Sequence, residues 1–66
     1  MGDADRRRML CDWRRRHGFT QKEASQRMGR NYYTWCNYES GQRKVPDHLI
    51  RHIEDFDKLQ RVLEAM

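Results

Sequence analysis

The chain has almost nothing that would build a disulfide scaffold, a membrane helix or a catalytic loop. Its two cysteines, Cys11 and Cys36, are too few and too isolated for a disulfide framework, which points to a reducing cytoplasm. No apolar run approaches the ~18 residues that a membrane span needs. The arginines at 6–8 are followed only by Met9, Leu10 and Cys11, so no secretory signal is read there. There is no Gly-rich phosphate loop and no His-Glu-x-x-His motif, and nothing positions a nucleophile beside a base. A helical bundle of 66 residues also offers little pocket volume, so an enzyme is not expected and no cofactor is implied. His48 and His52 stand at i, i+4, and with Cys11 and Cys36 they would supply four zinc ligands. An exposed pair on the polar side of a helix is the reading adopted instead, with no metal expected. No strand-like alternation, repeat or low-complexity segment is present, so the fold class is all-α.

What is present is charge, unevenly placed. Residues 1–46 carry eleven Lys/Arg against five Asp/Glu, whereas residues 47–66 carry three against five. A basic front and an acidic back suit a domain that meets phosphate on one face only. At 66 residues the chain makes one domain, near the lower limit for a core without staples.

Four helices are expected, or five if the last segment breaks. The first runs from about Asp5 to His17, with Leu10, Trp13 and His17 in one stripe and Gly18 ending it. Asp3 and Asp5 suit its N-terminus and Arg14 to Arg16 its C-terminus, by the helix dipole. Thr20 and Glu23 read as a capping box opening a second helix over about Gln21–Met28, which Gly29 closes in a left-handed cap. Asn31 is the N-cap of a third helix over about Tyr32–Ser40. Pro46, the only proline, fits the first turn of a fourth helix. Beyond it Leu49, Ile53, Phe56 and Leu63 form one stripe, and Leu59, Val62 and Met66 extend a second.

On a helical wheel Trp35 and Tyr38 face one way with Glu39 between them, toward the other helices. Tyr33, Cys36, Asn37 and Ser40 face outward, with Tyr32 at the border. Glu39 is then a carboxylate near the core and needs a partner; Arg14, beside Leu10 and Trp13, is the best placed. Two short helices across a Gly-containing turn match the helix-turn-helix unit, whose second helix enters the DNA major groove.

These residues carry a family resemblance. Arg14, Gly18, Phe19, Thr20, Gln21, Ala24 and Gly29, then Thr34-Trp35-Cys36-Asn37-Tyr38-Glu39-Ser40-Gly41, resemble the Cro/C1-type (XRE-like) helix-turn-helix family. That family includes phage repressors and many antitoxins. The resemblance covers about residues 6–58 and implies a compact lambda-repressor-like bundle. Ser25 departs from the usual alanine, and Trp35 from a β-branched residue, implying a repacked core. The Trp/Tyr pair followed by Glu-Ser-Gly-x-Arg-x-Val-Pro is also similar to small regulators encoded beside anti-CRISPR genes.

The resemblance implies roles for single residues. Tyr32, Tyr33 and Asn37 would reach base edges, Asn37 by pairing with adenine N6 and N7. Gln21, at a helix N-terminus, would contact a backbone phosphate, as would Ser40, Arg43 and Lys44, with Arg30 in the turn a further contact. Arg6–Arg8 and Arg15–Arg16 read at least as well as a solvated face, with an N-terminal arm reaching DNA as the alternative. Arg14 and Glu39 form the expected structural ion pair. Phe56, Leu59, Val62, Leu63 and Met66, on a segment without basic excess, are the expected homodimer surface over residues 56–66, the alternative being that they fold back onto their own core.

The function expected is a dimeric, cytoplasmic, sequence-specific repressor on a palindromic double-stranded operator, in a bacterial or phage-infected cell. Two alternatives come from other classes. One is a protein-interaction module such as an antitoxin or adaptor, which should expose an apolar anchor row. The other is a nonspecific nucleic-acid binder, with weak sequence preference and steep salt dependence.

Overall fold

The computed structural model describes residues 2–65. Four helices follow one another: α1 over Asp3–Arg16, α2 over Gln21–Arg27, α3 over Tyr32–Ser40 and α4 over Asp47–Ala65. No strand occurs among the described residues, so the chain is all-α. None of these helices is long and apolar enough to cross a membrane.

Local chemistry accounts for the boundaries. α1 begins two residues earlier than the sequence suggested, which brings both Asp3 and Asp5 into its first turn. Thr20 Oγ1 accepts from the Glu23 amide at 3.1 Å, while the Thr20 amide donates to Glu23 Oε1 at 3.1 Å. This reciprocal box satisfies two orphan amides at the start of α2. Hydrogen bonding to Thr20, chiefly from its backbone amide, holds the Glu23 carboxyl below its ordinary range. α2 stops at Gly29, whose φ of 64° is open to glycine at little steric cost, and the Arg30 amide then donates to the Ser25 carbonyl at 2.8 Å. Asn31 Oδ1 accepts from the Tyr33 amide at 2.8 Å and starts α3. Pro46 lies one residue before α4 rather than within its first turn, and its carbonyl accepts from the Leu49 and Ile50 amides.

The core gathers large side chains from α1, α3 and α4, with Met28 from the turn after α2 and Val45 from the loop after α3. Leu10, Trp13, Met28, Trp35, Val45, Leu49, Ile50 and Ile53 are all buried. Trp13 is its hub, with ring centroids 6.0 Å from Trp35, 5.6 Å from Phe19 and 5.4 Å from Phe56. Its indole Nε1 is buried without a hydrogen-bond partner among the described residues. Ser25 is buried as well, but its hydroxyl donates to the Lys22 carbonyl at 2.7 Å, so the exchange for alanine leaves no unsatisfied group.

The C-terminal apolar stripe departs from expectation. α4 is one unbroken 19-residue helix, so a fifth helix does not form. Leu49 and Ile53 are buried, but Leu63 of the same stripe is 64 % exposed. Phe56 stacks edge-on against Trp13, His17 and Phe19, so its ring belongs to this chain's own core and not to the expected outer surface. Asp57 fastens the same turn to α1, meeting His17 Nε2 at 2.8 Å and the Arg16 guanidinium.

Candidate nucleic-acid interface

α3 has a buried side and an open side, and the buried side fixes its pose. Trp35 is fully buried and Tyr38 nearly so, while the Glu39 side chain is 7 % exposed. The Arg14 guanidinium grips Glu39 with two nitrogens, Nε to Oε2 at 2.9 Å and NH2 to Oε1 at 3.1 Å. Its third nitrogen donates to the Phe19 carbonyl at 3.1 Å. Cys11 Sγ and the Trp35 indole also donate to Glu39. Desolvation pushes the Glu39 carboxyl up, but hydrogen bonds from Arg14, Cys11 and Trp35, with the Arg14 charge, outweigh it and hold the carboxyl below its ordinary value. Burial and then the hydrogen bond to Glu39 raise the Cys11 thiol, which stays protonated at neutral pH. One carboxylate thus ties α3 to α1 and to the start of α2 through Arg14.

The open side carries the expected base-reading residues. Tyr33 is 79 % exposed and Tyr32 42 %, their rings 5.7 Å apart. Tyr32 therefore lies outside the core rather than at its border. The neighbouring Cys36 raises the Tyr32 hydroxyl above its ordinary value, so it remains a phenol at any physiological pH. Asn37 is half-buried; its backbone carbonyl accepts from Ser40 and from the Arg43 amide, but its side-chain amide bonds none of the described residues. Cys36 Sγ lies 3.5 Å from Gln21 Oε1, which leaves the Gln21 NH2 free to donate at the start of α2.

Ser40 and Arg30 are less available than the sequence suggested. The Ser40 hydroxyl donates its one proton to the Asn37 carbonyl at 3.2 Å and has none left for a phosphate in that rotamer. Arg30 is half-buried and donates to the Met28 carbonyl at 2.8 Å, capping the end of α2. Arg43 and Lys44 are exposed, and neither lies within ion-pair distance of a carboxylate among the described residues.

No family model, curated protein or solved structure matches the chain.

Two further side chains of α1 reach this region. Arg7 lies with Arg43 and Lys44 around one small cavity, although the sequence suggests a solvated face for Arg6–Arg8. Its spacing from Leu10 and Arg14, i, i+3, i+7, is the signal that placed it on the inward stripe. Cys11 reaches Glu39 for a similar reason, standing three residues before Arg14 on α1. On the far side, Leu59, Val62 and Leu63 are 63, 57 and 64 % exposed, while Met66 of the expected dimer surface lies outside the described residues. His48 and His52 are exposed, and no three His, Cys, Asp or Glu side chains converge among the described residues.

Proposed function

We propose that this chain is a sequence-specific DNA-binding transcriptional regulator, with α2 and α3 as a lambda-repressor-like helix-turn-helix and α3 as the helix that enters the major groove. One observation carries it. α3 is anchored from behind by the Arg14–Glu39 pair, while its open side presents two tyrosines and a free asparagine amide, polar groups able to read base edges, with uncompensated Arg43 and Lys44 at its end. Gln21 and the free amides at the start of α2 would take a backbone phosphate. An enzyme needs converging reactive groups in a cleft, which this face does not offer.

Binding a palindrome requires two copies whose recognition helices stand about 34 Å apart. Leu59, Val62 and Leu63 are the exposed apolar residues that would pair across a two-fold axis, on the part of the chain without basic excess. Repression by occupancy of an operator is the simplest use of so small a dimer, and a phage or anti-CRISPR-associated operon is the setting the sequence resemblance suggests. The same three residues favour a second reading, a protein-interaction module such as an antitoxin, in which α4 docks on another protein.

Selection of bound duplexes from a random pool tests the reading. Enrichment of a palindrome with half-sites about one helical turn apart is expected. An unenriched pool with weak, steeply salt-dependent binding would favour nonspecific contact, and no binding at all would favour the interaction module.

A further inference from the structure

We infer that Arg7, Arg43 and Lys44 form a preformed pocket for a phosphodiester of the nucleic-acid backbone, carrying the contact surface from the loop after α3 onto α1. The inference rests on the DNA-binding reading and extends it to a residue on a helix to which that reading gives only a supporting role.

The cations are sorted by partner. Arg6 pairs with Asp47 at 2.7 Å and reaches Asp3 at 3.8 Å; Arg14 pairs with Glu39, and Arg16 with Asp57. Arg8 and Arg15 are exposed, where water screens them. Arg7 fits neither group. It is half-buried, yet it makes no ion pair among the described residues. Its guanidinium lies directly over Gly41, so closely that a Cβ there would collide with it. Gly41 also has a φ of 86°, which ends α3 in the left-handed conformation and turns the chain toward Arg43 and Lys44.

The three cations border a cavity of about 50 Å³, which Tyr38 also lines. The Tyr38 hydroxyl bonds none of the described residues. Three cations against the one carboxylate of Asp3, which Arg6 also approaches, leave the cavity net positive and favour an entering anion. A planar guanidinium suits two phosphate oxygens at once, and Lys44 adds a point charge. Asp3 lines the same cavity, within reach of Arg6, and its carboxylate opposes the anion. The pocket reads no base, since phosphate contacts position a protein without selecting sequence.

The experiment uses the full chain with two probes. The first is a pair of 20-base-pair duplexes, one selected and one scrambled, titrated across a salt series. The second is inorganic phosphate, followed by the backbone amide signals of residues 41–44. Arg7→Gln is expected to weaken both duplexes by the same factor, roughly tenfold, and to lower the salt slope by about one per subunit. Arg7→Lys should restore the slope but only part of the affinity, and Asp3→Asn should tighten both duplexes. A folded Arg7→Gln protein with wild-type affinity and slope on both duplexes overturns the pocket while leaving the DNA reading intact. Phosphate signals that saturate while the wild type binds neither duplex would mark a free-anion site, overturning the phosphodiester assignment and the DNA reading together. If Arg7→Gln unfolds, Asp3→Asn decides, because unchanged duplex affinity there overturns the pocket.

Discussion

The two halves of α4 have similar apolar content and opposite fates. In the first half Leu49, Ile50 and Ile53 lie at 0, 6 and 3 % exposure against α1 and the loop after α3. In the second, Leu59, Val62 and Leu63 are more than half exposed. Phe56 and Asp57 mark the divide, the first inserted among Trp13, His17 and Phe19, the second bound to His17 and Arg16. Periodicity thus tells which residues share a face, but not whether anything lies opposite that face. Covered apolar area stabilises this chain by itself, whereas uncovered area stabilises only an assembly.

The sharpest contrast is between the anchored side of the molecule and its open end. Arg14→Ala and Glu39→Ala each strand a buried charge, and each should lose about 3–5 kcal/mol of stability in chemical denaturation. For so small a domain that approaches the whole of its stability. Melts of both variants near wild type would mean that this pair does not hold α3. Within α4, Ile53→Ala should lose about 2–4 kcal/mol, while Leu63→Ala should stay within about 0.5 kcal/mol at concentrations where the chain is monomeric. Equal losses would show that the second half is covered in the monomer. Leu59→Asp with Leu63→Asp should keep the helical signal and halve the mass measured by light scattering. A dimer that survives both changes removes this segment from the interface.

Acid stability should reflect the same anchored side. The folded carboxyls of Glu39 and Glu23 sit below the ordinary value of 4.5, so the unfolded chain takes up their protons first. Their contribution is fully present above pH 4.5 and is lost as pH falls through the lowered folded values. Denaturation midpoints measured from neutral pH downward should hold steady and then drop on the acid side. A flat profile to about pH 3 would contradict the direction of both shifts.

Much of this was legible in the residues because its causes are local. The Thr20–Glu23 box, the Asn31 cap and the glycines at 18, 29 and 41 determine helix ends within a few residues of themselves. The inward side of α3 was legible too, since the positions of Trp35, Tyr38 and Glu39 follow from 100° steps. Pairing Arg14 with Glu39 needed one further step, that a carboxylate on a buried face must meet a cation. What stayed hidden depends on contacts distant in sequence. Nothing near Phe56 tells that it meets Trp13 and Phe19, and nothing near Arg7 tells that the loop at Gly41 passes beneath it. The Trp13 indole, buried and unpartnered among the described residues, was equally invisible, because only the packed core decides whether an acceptor stands opposite it.

The central claim is that the open side of α3 reads bases while the cations beside it hold the backbone. Operator affinity of Asn37→Ala and Lys44→Ala, each measured on a selected duplex and on its scrambled counterpart across a salt series, tests it most directly. Asn37→Ala should lose about 1–3 kcal/mol on the selected duplex alone and relax preference at one base position per half-site. Lys44→Ala should weaken both duplexes alike and lower the salt slope by about one per subunit. Unchanged affinity and preference in Asn37→Ala would mean that this face of α3 does not read DNA.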